Sequence, residues 1–110
     1  MVVYKLVRKM KDGSLAPLFI NAKMRFSFNE WLNAEPHKTK GFAFRPGWHC
    51  CFKPVAPHLS EKNRVWIECI AQNYCTYDRP ESQGGKWVLA ERIKVLREVP
   101  QNEVEAMRDC

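Results

Sequence analysis

From Val2 to Lys9 the chain alternates. Val2, Tyr4, Leu6 and Arg8 fall on one side of an extended backbone, and Val3, Lys5, Val7 and Lys9 on the other. A period of two in β-branched and aromatic residues is a strand signal. Lys11-Asp12-Gly13-Ser14 then turns the chain, because Asp-Gly supplies the backbone conformation that tight hairpins need. Leu15 to Ile20 returns as the partner strand, and Pro17, which cannot donate to a ladder, places it at an edge. A chain that starts this way is committed to an antiparallel sheet.

The rest of the sequence extends that commitment. Residues 21–40 admit two readings: a short helix begun by the Ser27-x-x-Glu30 capping spacing and stopped by Pro36, or an irregular strand. Gly41 to Arg45 predicts a strand, Pro46-Gly47 the centre of a type II turn, and Trp48 to Lys53 a returning strand. Pro54 to Ser60 reads as a proline-paced loop. Arg64 to Ile70 predicts a strand with Val65, Ile67 and Cys69 on one face and Trp66, Glu68 and Ile70 on the other. Arg79 to Gly85 is a run of turn formers. Lys86 to Ala90 and Arg92 to Val99 predict two further strands, the second with Ile93, Val95, Arg97 and Val99 in register. Asn102 as cap, Glu105 three residues later, and Val104 with Met107 on one face predict a short C-terminal helix. The fold class is α+β and strand-dominated: an antiparallel sheet or small partly open β-barrel with a short C-terminal helix, in a single domain over residues 1–110.

Charge adds a direction. Of 110 residues, 18 are Lys or Arg and 12 Asp or Glu, a formal +6. The excess is uneven: residues 1–65 hold 12 cations and 4 anions, and residues 66–110 hold 6 and 8. Basic charge raises the local concentration of anions, so phosphate-bearing partners are the natural class. No apolar run approaches the ~18 to 20 residues of a membrane span, and the charges after Met1 interrupt any signal-peptide core. No membrane association is expected, and the location expected is cytoplasmic. Five cysteines, two of them adjacent, suit a reducing compartment better than a disulfide framework. In a strand, Cys50 and Cys51 point to opposite faces.

The richest stretch for chemistry is His37 to His49, where cations alternate with aromatics. Lys38, Lys40 and Arg45 are suited to hold phosphate, Phe44 and Trp48 to stack on a base or ring, and His49 and His58 to complete a polar rim. This set predicts a small binding module for a nucleotide, RNA or single-stranded DNA. Lys40-Gly-Phe-Ala-Phe matches the opening of the RNP1 strand of RNA-recognition motifs, but Arg45-Pro46-Gly47 turns the chain where that strand continues. Zinc is a rival for His49, Cys50, Cys51, His58, Cys69 and Cys75. Their spacing fits no usual ligand pattern, so neither metal nor cofactor is expected. A nucleophilic pairing of Cys50 or Cys51 with histidine lacks an orienting third group.

Pro17-Leu-Phe-Ile, Thr39-Lys-Gly-Phe-Ala, Arg45-Pro-Gly-Trp-His, Pro54-x-Ala-Pro-His-Leu59, Arg64-Val-Trp and Gly84-Gly-x-Trp87 run through nearly the whole chain. Together they resemble an uncharacterised family of small bacterial and bacteriophage proteins with no established activity. The resemblance implies common descent and no reaction. A second likeness is to the order of functional residues in ADP-ribosyltransferases. It would make Arg8, His49 and Glu91 the catalytic set of a nucleotide-processing enzyme and requires the three to converge. A third reading is a phage-type protein whose basic face binds a host protein.

Overall fold

In the computed structural model, which describes residues 1–18, 24–34 and 47–108, β1 (Val2–Lys9) pairs antiparallel with β5 (Arg64–Asp78) from Val2↔Ile70 to Arg8↔Arg64. The alternation of β1 explains why: Val3 and Val7 are fully buried on one face while Leu6 is buried on the other, so the strand is central and two-sided. Its free edge takes the two-residue β2 (Leu15–Ala16) through the Asp12-Gly13 turn. Asp12 closes that turn by accepting from the Ser14 backbone N–H at 2.9 Å. The predicted first hairpin is present, with a shorter return strand than Leu15 to Ile20; residues 19 and 20 lie outside the described residues.

Residues 27–33 resolve the first ambiguity in favour of strand. Asn29 takes a left-handed backbone (φ 62°), its N–H donates to Val95 O, and β3 (Trp31–Asn33) follows. A left-handed residue there stops the capping spacing from starting a helix. The predicted strand Gly41 to Arg45 lies outside the described residues. β4 (Trp48–Cys51) and β3 both pair with one edge of β6 (Lys86–Val99), at Trp48↔Ala90 to Cys51↔Trp87 and at Trp31↔Lys94 to Asn33↔Arg92. The other edge of β6 pairs with β5 from Trp66↔Val99 to Asp78↔Lys86.

These pairings make a six-stranded antiparallel sheet so coiled that β4 meets β1 at a single pair, Tyr4↔Cys51. It is not a closed barrel. Inside the curl lies a core of Val3, Val7, Cys50, Ile67, Cys69, Val88, Ala90, Ile93 and Val95 with Phe26 and Leu15. On the outer face, Leu6, Cys51, Trp66, Trp87 and Val99 form a second core with Ala56 and with Val104 of α1 (Gln101–Arg108). The adjacent cysteines divide between the two cores, as strand alternation requires. Among the described residues no helix is long and apolar enough to cross a membrane.

Four expectations change. β5 continues past Ile70 to Asp78, and Glu91 joins the two expected strands into one β6. Ile93, Val95 and Val99 do not share a face, because the pairing shifts between Glu68↔Arg97 and Cys69↔Val95 and leaves Leu96 as an extra residue. That bulge carries Val99 to the outer core. The helix begins at Gln101, with the Glu103 and Val104 N–H groups both donating to Pro100 O, so Asn102 lies inside the first turn rather than capping it.

The outer face is tied to α1 by charge. Arg97 donates to Glu68 Oε2 at 3.1 Å and to Glu103 Oε2 at 2.7 Å, and Tyr4 OH donates to Glu68 Oε1 at 3.2 Å. Such solvent-screened pairs contribute little to stability, so the apolar cores dominate.

Gly47 sets the approach to β4. Its φ is 142°, and a Cβ there would stand 2.7 Å from Leu89 Cδ1 and 3.2 Å from Ala90 O. Gly13 also has positive φ (87°) but faces open space. Gly47→Ala is therefore expected to lower the unfolding free energy by about 2–3 kcal/mol, backbone strain plus overpacking, and Gly13→Ala by about 1 kcal/mol. Urea denaturation of the two variants checks the difference, and equal losses would contradict the close approach.

Candidate functional site

The far end of the β5–β6 hairpin gathers the polar and aromatic groups that the inner core excludes. Tyr77 and Trp87 are cross-strand partners and therefore share a face. The connection between the strands folds tightly, with Gln83 N–H donating to Pro80 O and Gly84 at φ 99°. This places Gln83 O to accept from Trp87 Nε1 at 2.7 Å, which fixes the indole. Arg79 is pinned in the same turn by its N–H to Gly85 O, and its guanidinium lies over both rings, Cζ at 4.3 Å from the Trp87 centroid and 5.6 Å from that of Tyr77.

Two histidines flank this stack. His58, in the proline-paced loop, has its ring centroid 5.7 Å from that of Trp87 and its Nε2 at 3.4 Å from Arg79 Nη1. A guanidinium only donates, so Nε2 accepts and His58 is neutral with its proton on Nδ1. Burial first and the Arg79 charge second hold its pKa below the usual 6.5. His49 stands opposite Leu89, with Nδ1 2.6 Å from Tyr77 OH and the two rings edge to face.

Arg79 differs from the cations that the fold neutralises. Lys9, Arg97 and Arg108 each pair with a glutamate, whereas among the described residues no carboxylate pairs with Arg79. A guanidinium held over aromatic rings, with no carboxylate partner among the described residues, is suited to accept an anion, because its remaining N–H donors match phosphate oxygens.

Of the residues expected from sequence, His49 and His58 belong to this cluster. Trp48 does not: alternation turns it to the opposite face from His49, where it packs on the inner core, stacks with Phe26 at 5.6 Å and donates Nε1–H to Leu32 O. Lys38, Lys40, Phe44 and Arg45 lie outside the described residues. Arg8, His49 and Glu91 are not brought into contact. Arg8 sits beside Arg64 with Nε–H donating to Pro17 O, Glu91 lies beyond the His49↔Leu89 pair, and His49 Nδ1 lies against Tyr77 OH. Tyr77, Arg79 and Trp87 were not anticipated, although a hairpin turning at residues 80–85 already sets Tyr77 opposite Trp87.

The thiols play no part in this cluster. Burial raises Cys50 to about 11 and Cys51 to about 12, and raises Cys69 as well, so all three stay protonated at neutral pH. This opposes the nucleophilic Cys-His pairing. Among the described residues no three of His, Cys, Asp and Glu gather closely enough to hold a metal ion. Shallow hollows lie elsewhere, one of about 250 Å³ between Val55, Leu59, Glu61 and Arg108 and one of about 500 Å³ between Arg8, Lys11 and Asn63.

The chain matches no protein-family model, no curated protein and no solved structure.

Two measurements follow from this geometry. By NMR, the His58 imidazole is expected to titrate below 6.5, and Arg79→Gln to move it upward by removing the second cause while burial remains. Because the fold favours neutral His58, its contribution to stability falls as pH drops from 6.5 through that lowered value. Titration at or above 6.5 would contradict the contact with Arg79. Among Cys50, Cys51, Cys69 and Cys75, thiol labelling of the native protein is expected to modify Cys75 first, since the other three are buried. Fast labelling of Cys51 would contradict the outer core.

Proposed function

We propose that this protein is a binding module for a phosphate-bearing ligand, a nucleotide or a nucleic-acid strand, through the face built by His49, His58, Tyr77, Arg79 and Trp87. The observation that carries this reading is the Arg79 guanidinium, 4.3 Å from the Trp87 centroid and without a carboxylate partner among the described residues. The stack orders the guanidinium before the ligand arrives, which lowers the entropic cost of binding. His58 and the Tyr77–His49 pair border it with groups that donate or accept hydrogen bonds. The sequence adds Lys38, Lys40 and Arg45 to the same reading as further phosphate-binding cations.

The test uses the 5′-phosphorylated dinucleotide of thymidine at low salt, followed by calorimetry. Binding that weakens as salt rises is expected, with a slope of about 0.7 per phosphate contact. Arg79→Ala should weaken it about tenfold or more, the loss of a charged hydrogen bond of about 1.5–3 kcal/mol. Absence of binding at low salt, or binding unchanged by Arg79→Ala, would overturn the reading.

A further inference from the structure

A second cation-on-indole cluster lies farther along β6. Arg92 Cζ is 5.0 Å and Lys94 Nζ 5.3 Å from the centroid of Trp31, which sits on β3 opposite Lys94. Arg92 Nη1 donates to Gln72 Oε1 at 3.2 Å, yet its Nε is buried with no hydrogen-bond partner. A buried N–H without a partner is rare enough to call for an explanation. Like Arg79, neither Arg92 nor Lys94 pairs with a carboxylate among the described residues.

The two clusters share one face. Val88 and Ala90, then Ile93 and Val95, all line the inner core, so two residues rather than one separate the inward positions at Glu91 and Arg92. The reversal coincides with Asn73, opposite Glu91, whose φ of 51° bends β5 there. As a result Arg92 and Lys94 point away from the inner core, as Trp87 does. From Trp87 to Lys94 the strand covers roughly 23 Å at ~3.3 Å per residue. That length suits about four nucleotides, at the lower end of known single-strand sites.

We propose that the outer face of β6 is a track for single-stranded nucleic acid, running from Arg79 to the Trp31–Arg92–Lys94 cluster. This rests on the phosphate-binding reading of Arg79 and extends it from one anion to a strand. Arg79 holds a phosphate at one end. At the other, half-buried Trp31 offers a ring on which a base stacks, while Arg92 and Lys94 hold the flanking phosphates. Outward-facing aromatic platforms on a coiled sheet suit unpaired bases; a duplex would keep its bases from reaching Trp31. Glu91, exposed at the bend, is the acidic residue of β6 between the clusters.

The experiment compares the phosphorylated dinucleotide with an oligothymidylate octamer by fluorescence anisotropy and calorimetry. The octamer should bind at least tenfold more tightly. Trp31→Ala should weaken the octamer about tenfold, the effect of one lost base stack of about 1–3 kcal/mol, while changing dinucleotide binding less than about twofold. Trp31→Phe should restore most of the loss. Arg92→Gln and Lys94→Gln should each lower the octamer's salt slope by about 0.7, and Glu91→Gln should tighten it. Should Trp31→Ala fail to fold, as judged by circular dichroism, Trp31→Phe and Lys94→Gln decide the matter. If both probes bind equally and respond only to Arg79→Ala, the track is overturned and the single phosphate site stands. If neither probe binds, both readings fall. Tighter binding to a duplex than to the octamer also overturns the track.

Discussion

A sheet with apolar side chains on both faces must bury both, and β5 with β6 does so by changing which residues face inward partway along. The change occurs at Asn73, whose left-handed backbone (φ 51°) is one that asparagine tolerates better than most residues. Strict alternation from Ala90 would put Arg92 in the core and Ile93 and Val95 outside. Instead Ile93 and Val95 are fully buried and Arg92 lies beneath Trp31. A second adjustment, the extra Leu96, returns Val99 to the outer core against Trp66 and Val104. Between them these irregularities give β6 an outer face that is apolar where α1 covers it and cationic where nothing among the described residues does.

The strengths of the interactions separate scaffold from site. Burial of Val, Ile and Trp contributes about 1.5–3 kcal/mol per fully buried side chain, whereas an exposed cation over an indole contributes about 0.5–1 kcal/mol. Arg79, Arg92 and Lys94 therefore have little to do in holding the sheet together. Arg97 and Arg108, bonded to Glu68, Glu103 and Glu61, serve to fasten α1 and the loop before β5. Cations that the fold neutralises and cations that it leaves stacked on rings thus occupy different parts of the same face.

Much of the scaffold was legible in the chain. Alternation in Val2–Lys9, the Asp12-Gly13 turn, the split of Cys50 from Cys51, and the opposite faces of Val65–Ile70 follow from a period of two. Each recurs in the structure. The junction at Glu91 was not legible, because it depends on Asn73 across the ladder, and a face reversal leaves no mark in one strand's own pattern. Net charge also misled: residues 66–110 are slightly acidic in sum, yet they hold Arg79, Arg92 and Lys94, three cations set over aromatic rings with no carboxylate partner among the described residues. His49 and His58 were picked out because both stand beside turns, and the structure sets them next to Tyr77 and Arg79. Trp31 meets Arg92 and Lys94 through pairing between distant strands, which local spacing does not encode, whereas Tyr77, Arg79 and Trp87 gather in one hairpin once its register is set.

The most direct test of the proposed binding face is the set of four indole N–H signals in a ¹H–¹⁵N spectrum, followed as oligothymidylate is added. Trp66, whose Nε1 donates to Glu61 beneath α1, and Trp48, whose Nε1 donates to Leu32 O on the inner side, should stay in place. Trp31 should move most, and Trp87 should respond through Arg79. Movement of Trp48 or Trp66 with Trp31 unchanged would put the ligand on another surface and contradict a binding face on the outside of β6.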